Sequence, residues 1–322
     1  MKEVIFEQIG NPSEVLKLVD SPIPQPKEGQ VLIKITARNI NPADMMFIQG
    51  RYGIQPVLPS SAGFEAVGVV EKADESGKFE KGTRVMFSAI GTWKEYICIP
   101  VSSAIPVPKE MSDEIACQAF VNPFTAHAMI EKSGLKEGDW LLITAGASAF
   151  GKFAIQMAKA KGIQVAATVR QEDQISYLSN LGADLVVNSE KEKIHEVIPE
   201  KTNGGVHAVF DAVSGKLGAQ ALSCLRKNGK MMVFGALSLN TMPINSGLMI
   251  FKNLKIEGFW LSTWMAETDP KEMNEAFLKV FSFLMNGDSQ IDVVGKFPLE
   301  SFQEALNAYQ MPGRNGKILL IG

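Results

Sequence analysis

Along the first third of the chain the apolar residues come in short runs rich in β-branched and aromatic side chains: Val4–Phe6, Val31–Ala37, Ala66–Val70, Arg84–Phe87 and Tyr96–Ile99. Runs of that length and composition read as strands. Pro22, Pro24, Pro26, Gly29, Pro56, Pro59 and Gly82 punctuate the intervals between them, which favours tight turns and brief helices. The pattern changes at Ser112, a helix N-cap followed by Asp113 and Glu114 at the positive end of the helix dipole. Pro123 interrupts that run before a second helical piece toward Lys132. After Gly138, strand-like and helix-like runs alternate: Trp140–Thr144, Lys152–Lys161, Val165–Val169, Gln174–Leu181 and Leu185–Val187, then Val206–Phe210, Leu217–Arg226, Lys230–Phe234 and Leu254–Phe259. This rhythm predicts βαβ units feeding a doubly wound parallel sheet, an α/β fold. Beyond Pro270, helices over Met273–Met285 and Leu299–Tyr309, an extended piece at Val293–Phe297 and a strand at Lys317–Ile321 read as a segment folding back onto the first half.

The reading therefore divides the chain into a β-rich domain over residues 1–121, a nucleotide-binding domain over 122–264 and a returning segment over 265–322. A length of 322 residues agrees with more than one core. With 46% hydrophobic and 21% charged residues the chain has ample material to bury. Thirty-two basic against 35 acidic side chains, with no long run of either sign, give no footprint for nucleic acid or a membrane surface. Cys98, Cys117 and Cys224 are few, odd in number and far apart, which fits a reducing compartment and a cytoplasmic protein. The opening MKEVIFEQ is too short and too charged for a signal peptide, and no apolar stretch reaches the ~18 residues of a membrane span.

Candidate chemistry concentrates at one turn. Gly146, Ala147, Ser148, Ala149, Phe150 and Gly151 lie between a predicted strand and a predicted helix. Small residues there let a pyrophosphate approach backbone N–H groups at a helix N-terminus, or simply let helix and strand pack closely. Nineteen positions beyond Gly151, the next strand ends at Arg170 where an acidic residue would suit the ribose hydroxyl of NAD. A guanidinium there suits a 2′-phosphate, so NADPH is the expected cofactor. The three histidines, His127, His195 and His207, have no metal-ligand spacing, and His207 sits in an apolar strand pattern as a core or edge residue. No metal site is expected.

These pieces together resemble the zinc-free, quinone oxidoreductase-like branch of the medium-chain dehydrogenase/reductase superfamily across essentially the whole chain. The segments that carry the likeness are Asn41–Asp44, Ile48–Tyr52, Gly91–Trp93, Val121–Ala126, Ile250–Leu254 and Gly258–Ser262. Gly63-Phe64-Glu65 is similar to the G-H-E segment of the zinc alcohol dehydrogenases, with phenylalanine in place of the zinc-binding histidine. Asn41-Pro42-Ala43-Asp44 stands where those enzymes carry a zinc-ligand cysteine. Within the branch the chain resembles the 2-enoyl thioester reductases of mitochondrial type.

The resemblance implies a GroES-like catalytic domain joined to a Rossmann domain, and a homodimer formed through the edge around Ile250–Phe259. It implies that Tyr52 donates a proton to the substrate, that Asn122 touches the nicotinamide end of the cofactor, that Thr125 also binds the cofactor, and that the turn from Gly146 to Gly151 holds the phosphates. It further implies adenosine-phosphate recognition by Arg170, cofactor contacts from Phe234, Gly235, Ala236 and Leu237, Phe259, Trp260 and Leu261 beside the nicotinamide, and Lys317 closing the site. Phe124 and Trp260 stand either in the acyl pocket or in the core. Two departures are visible: the phosphate turn lacks a second glycine, and Arg170-Gln171-Glu172 keeps only the first residue of the relatives' R-D-R triplet. The expected activity is NADPH-dependent reduction of a 2-enoyl thioester. The alternatives are reduction of a quinone or enone and, from another class, NADPH sensing without turnover.

Overall fold

Gln30–Asn39 is a strand of ten residues whose side chains are buried over most of its length on both faces. Such a strand must be covered on both sides, and it lies inside a seven-stranded sheet. The computed structural model, which describes residues 1–73, 77–285 and 292–322, orders that sheet Val293–Pro298, Lys317–Ile321, Gln30–Asn39, Glu65–Lys72, Arg84–Ser88 and Ile105–Pro106, with Tyr96–Pro100 also pairing to Gln30–Asn39. A smaller sheet orders Leu16–Asp20, Lys2–Phe6 and Ser60–Ser61. Val4, Phe6, Phe47, Trp93, Phe302 and Leu320 share one buried cluster, so the last strand and helix belong to the same core as the first strand. Each such side chain contributes about 1.5–3 kcal/mol on burial.

The antiparallel register Leu319↔Asn39, with the Ile40 N–H donating to Ile318 O at 3.1 Å, brings Lys317 beside Asn41 although they are far apart in sequence. Asn41 begins the helix Pro42–Ile48, and Pro42 at its first position suits a residue whose missing N–H is not needed there.

The second sheet has six strands among the described residues, and each neighbouring pair is parallel: Leu185–Asn188, Gln164–Val169, Trp140–Ile143, Val206–Asp211, Leu225–Val233 and Lys255–Gly258. Trp140–Ile143 and Val206–Asp211 lie side by side while the chain winds outward from them in opposite directions. That makes a topological switch point at their carboxyl ends, where open α/β sheets bind ligands.

The chain separates into two compact units, Met1–Val121 with Ile291–Gly322 and Asn122–Gln290. The helix Pro270–Met285, which the sequence reading assigned to the returning segment, groups with the second unit. Phe277 sets its ring 4.6 Å from Phe124, and Phe283 lies 6.5 Å from Phe153. The helix expected over Leu217–Arg226 runs over Gly215–Ser223 instead, and Leu225 already begins the next strand. No helix among the described residues is long and apolar enough to cross a membrane.

Candidate functional site

In the second unit, strand Trp140–Ile143 leads into the glycine-containing turn. Gly146 donates its N–H to Thr168 O at 2.8 Å, and Ala145 donates to Thr168 Oγ1 at 3.2 Å. A Cβ on Gly146 would stand 2.8 Å from the Ala167 Cβ, and one on Gly151 would stand 2.3 Å from Gly146 O. Both positions therefore require glycine for the helix start to cross the turn. Ser148 occupies the N-cap of helix Ala149–Ala160, its Oγ accepting the Gly151 N–H at 3.1 Å while Ser148 O takes that of Lys152 at 3.0 Å. Ser148 thus has a capping role. Among the described residues the first-turn N–H groups of Ala149 and Phe150 remain uncapped, at the positive end of the helix. Ala147, Ser148 and Ala149 are half-buried, leaving room for an anion to approach.

Arg170 directly follows strand Gln164–Val169, with its side chain exposed and no ion pair among the described residues. Glu172, two positions on, is held by Lys191 at 2.7 Å and by Asn188 at 3.3 Å, and the Lys191 hydrogen bond pulls its carboxyl below the usual range. The nearby carboxylate is thus engaged elsewhere than on Arg170.

Asp211, fully buried at the end of strand Val206–Asp211, accepts from Thr144 Oγ1 at 2.7 Å and from the N–H groups of Val213 and Ser214 at 3.0 Å each. The loop after the neighbouring strand is zipped onto it: Leu237 donates to Ala212 O and Ser238 to Val213 O, both at 3.0 Å. A Cβ on Gly235 would meet Ala212 O at 2.7 Å, so this approach also needs a glycine. Phe234 lays its ring 4.0 Å from that of Phe150, joining this loop to the phosphate turn. The sequence reading missed Asp211. Its signal was an acidic residue closing an otherwise apolar strand, a place where a charge must find donors.

Phe259 is buried and donates its N–H to Val233 O at 2.8 Å, Trp260 is 38% exposed, and Leu261 opens the helix Leu261–Glu267. Leu237 is exposed and Thr125 buried. Asn122 holds a buried side-chain Nδ2 with no hydrogen-bond partner. An orphaned amide donor is what a residue that binds a ligand carbonyl leaves behind. Phe124 is fully buried, its ring 4.6 Å from that of Phe277.

His207 takes the Trp140 N–H on Nδ1 at 2.9 Å and sets Nε2 3.1 Å from Asp139 Oδ1. It is a tether between strand starts, at the opposite end of the sheet from the switch point.

In the first unit, Tyr52 follows helix Pro42–Ile48 in a loop turned by Gly50, whose φ of +65° suits glycine and whose Cα faces Ile9. Gln55 Nε2 donates to Tyr52 O at 3.3 Å across this loop. The half-buried Tyr52 ring stands 5.0 Å from Phe64, Phe64 stands 5.4 Å from Phe47, and Phe47 stands 5.8 Å from Phe6. Phe64, at the place of a zinc-binding histidine in distant relatives, is here the aromatic seat of the tyrosine.

Beside Phe64, Glu65 is buried. Its Oε1 accepts from Asn39 Nδ2 at 2.7 Å and Asn41 Nδ2 at 2.8 Å, and its Oε2 accepts the Val121 N–H at 2.9 Å. Lys317, 5% exposed, donates its Nζ to Asn41 Oδ1, and its pKa is lowered by burial against the opposing pull of Glu65 and Asp44. Asp44 is fully buried, with Oδ2 accepting the Asn41 N–H at 2.6 Å and Oδ1 without a partner. Burial pushes its pKa up to about 8.

These donors do not fit a zinc ion. Phe64 offers no lone pair, both Glu65 oxygens are taken by N–H groups, and Lys317 brings a cation to the cluster. Among the described residues no group of three or more His, Cys, Asp and Glu side chains is placed to hold a metal.

Comparison with known proteins places this geometry. Residues 27–109 match the family model described as the alcohol dehydrogenase GroES-like domain, and residues 149–281 match the one described as zinc-binding dehydrogenase. Mitochondrial enoyl-[acyl-carrier-protein] reductase of Schizosaccharomyces pombe is 33% identical, with 89% of this chain and 83% of that protein covered. The Rattus norvegicus protein of the same name is 29% identical, with 97% and 86% covered. The crystal structure of Escherichia coli quinone oxidoreductase complexed with NADPH superposes with a TM-score of 0.92 at 29% identity, covering 100% of each chain. A GroES-like domain and a Rossmann sheet, matched by relatives over nearly the full length, lead to one conclusion: the chain belongs to the medium-chain dehydrogenase/reductase family of oxidoreductases, among its quinone oxidoreductase-like and enoyl reductase-like members.

Proposed function

We propose that the chain is an NADPH-dependent reductase of the activated double bond in 2-enoyl thioesters, with Tyr52 assisting proton delivery. The observation that carries this reading is the seating of Tyr52 on Phe64, at a place whose donors do not fit a metal. Bound NADPH supplies the hydride that adds to Cβ. The turn from Gly146 to Gly151 receives the pyrophosphate on the uncapped N–H groups of Ala149 and Phe150. Arg170 pairs with the 2′-phosphate through its planar fork. Asn122 Nδ2 donates to the carboxamide oxygen of the nicotinamide, which satisfies the orphaned donor. Phe234–Leu237, Phe259, Trp260 and Leu261 surround the rest of the cofactor, and Lys317 contributes an ammonium.

As Cβ gains hydride, negative charge grows on the thioester oxygen and Cα. A phenol keeps its proton at neutral pH and donates along a short hydrogen bond, so Tyr52 can stabilise that oxygen or protonate Cα. The similarity to enoyl-[acyl-carrier-protein] reductases over nearly the whole chain supports this substrate class. Quinone reduction is the second reading, favoured by the likeness to the NADPH-bound quinone oxidoreductase. It uses the same hydride and makes no demand on Tyr52.

The test is cofactor oxidation measured with NADPH and with NADH against short and medium enoyl thioesters and simple quinones. We expect kcat/KM for an enoyl thioester to exceed that for any quinone by at least about tenfold, and NADPH to exceed NADH by a similar factor, the equivalent of about 1.4 kcal/mol each. Turnover of quinones alone selects the second reading, and turnover of neither class removes both.

A homodimer forms part of the same proposal. Strand Lys255–Gly258 is the outer strand of its sheet, and Ile250 and Phe251 before it are 70% and 82% exposed. A second copy of the chain would cover this apolar edge. Sedimentation should give about twice the 35.1 kDa of one chain, and a monomer at micromolar concentration would refute the assembly.

A further inference from the structure

Helix Ala149–Ala160 carries lysines toward both of its ends, and the two ends suit a cation differently. Lys159 and Lys161 stand at the C-terminus, the negative end of the helix dipole, and each also meets a carboxylate, Asp184 at 2.8 Å and Glu131. Lys152 closes the first turn, where the dipole is positive and the N–H groups of Ala149 and Phe150 are uncapped. It is also 4% exposed. A cation there is unfavourable twice over, by its place on the dipole and by its loss of water.

The Lys152 ammonium lies 4.5 Å from the centre of the Tyr177 ring, in the neighbouring helix Asp173–Asn180. A ring face offsets part of the desolvation, and it fixes where the charge goes. Helical side chains lean toward the N-terminus of their own helix, so Lys152 reaches back toward the phosphate turn. It does so on the side of the helix that follows Arg170. Leu178, next to Tyr177, shows how near that side is: its Cδ1 stands 3.0 Å from where a Cβ on Gly146 would be.

Three sources of positive potential in the second unit thus lie about the same turn: the open helix end, the buried Lys152 and Arg170. The last is two residues beyond Thr168, whose carbonyl takes the Gly146 N–H at 2.8 Å. A 2′-phosphate carries about two negative charges at neutral pH. Arg170 supplies one positive charge, and Glu172 and Asp173 follow it in the chain with the opposite sign. A second cation nearby makes up the difference.

We propose that Lys152 is a specificity-determining residue for the 2′-phosphate of NADPH, held on the Tyr177 ring so that its charge adds to that of Arg170, an inference that rests on the NADPH reading above. The position destabilises the empty chain and becomes favourable when the phosphate arrives. A cation kept for packing alone would gain nothing from an anion that only one of the two nicotinamide dinucleotides carries.

The test uses the full chain and reads dissociation constants for NADPH and NADH from cofactor fluorescence, with the melting temperature of the cofactor-free protein beside them. Lys152→Met keeps most of the length and removes the charge. It should weaken NADPH binding about tenfold and leave NADH within about twofold of wild type. The empty chain should melt higher, by about 2 °C or more, because a buried charge has left the wrong end of a helix. Lys152→Gln, which keeps a polar tip in the slot, should show the same selective loss and keeps the test decisive if the methionine variant folds poorly.

An equal loss of both cofactors would set the effect on the shared pyrophosphate or on packing, and it would overturn the proposal. So would a preference for NADPH that survives Lys152→Met and disappears in Arg170→Ala, which leaves the cofactor reading standing. A wild-type chain that binds NADPH and NADH equally would defeat the Arg170 assignment first and this inference with it.

Discussion

Tyr52→Phe is expected to lower kcat/KM for an enoyl thioester by about 10² to 10³, the range in which positioned general acids contribute, with NADPH affinity unchanged. The substitution isolates the hydroxyl. The ring that remains keeps its place 5.0 Å from Phe64, and Phe64 keeps its contact with Phe47, so the loop and the core beneath it are undisturbed. Because the ring is half-buried, loss of the oxygen should change thermal stability little. The variant also separates the two substrate classes. If the thioester needs an external proton at Cα and a quinone does not, quinone reduction in Tyr52→Phe should stay within twofold of wild type while thioester reduction collapses. Equal thioester rates in a folded variant would remove Tyr52 from the mechanism.

The parts of this fold that were legible in the sequence are those where one local rule suffices. The strands at Val31–Ala37 and Val165–Val169 are apolar runs whose burial the structure repeats, and Ser112 is an N-cap because its hydroxyl accepts a helix N–H. The doubly wound sheet followed from alternation alone. Strand Leu16–Asp20 escaped notice because its burial comes from pairing with Lys2–Phe6, which its own mixed residues do not announce. The helix Pro42–Ile48 was hidden by a proline that reads as a turn until it is placed at the first helical position. Helix Ile194–Lys201 carries Pro199 inside it, contrary to propensity.

Tyr52, Asn122 and the phosphate turn could be singled out from motifs, whereas the bonding of Glu65 and Asp44 could not. Glu65 is bonded to Asn39, Asn41 and the Val121 N–H, and Asn41 in turn to Lys317, groups from three distant stretches of chain. Arg38 shows the same limit: its guanidinium is fully buried in strand Gln30–Asn39 without a hydrogen-bond partner, which no composition argument would place there.

Asp44→Asn should stabilise the protein, and by an amount that grows with pH. The Asp44 carboxyl is driven by burial to a pKa of about 8 in the folded chain, against a usual 3.8. Between those values the folded state holds a proton that the unfolded state has released. Folding stability therefore falls as pH rises through this window, by at most about 1.4 kcal/mol per unit, and the loss is complete above pH 8. Asparagine does not titrate, yet its carbonyl oxygen can still accept the Asn41 N–H that Asp44 Oδ2 now accepts at 2.6 Å. The cap is kept and the slope is removed.

Melting temperatures of the two proteins should thus lie close together near pH 5 and separate by more than about 5 °C at pH 8, with the variant higher. Curves that run parallel from pH 5 to pH 8 would show that Asp44 is ionised throughout, and that the Lys317 ammonium is neutralised by two carboxylates instead of one. The stability difference should stop growing near pH 8, where Asp44 ionises in the folded chain and Lys317 gains a second negative charge beside it in the same core.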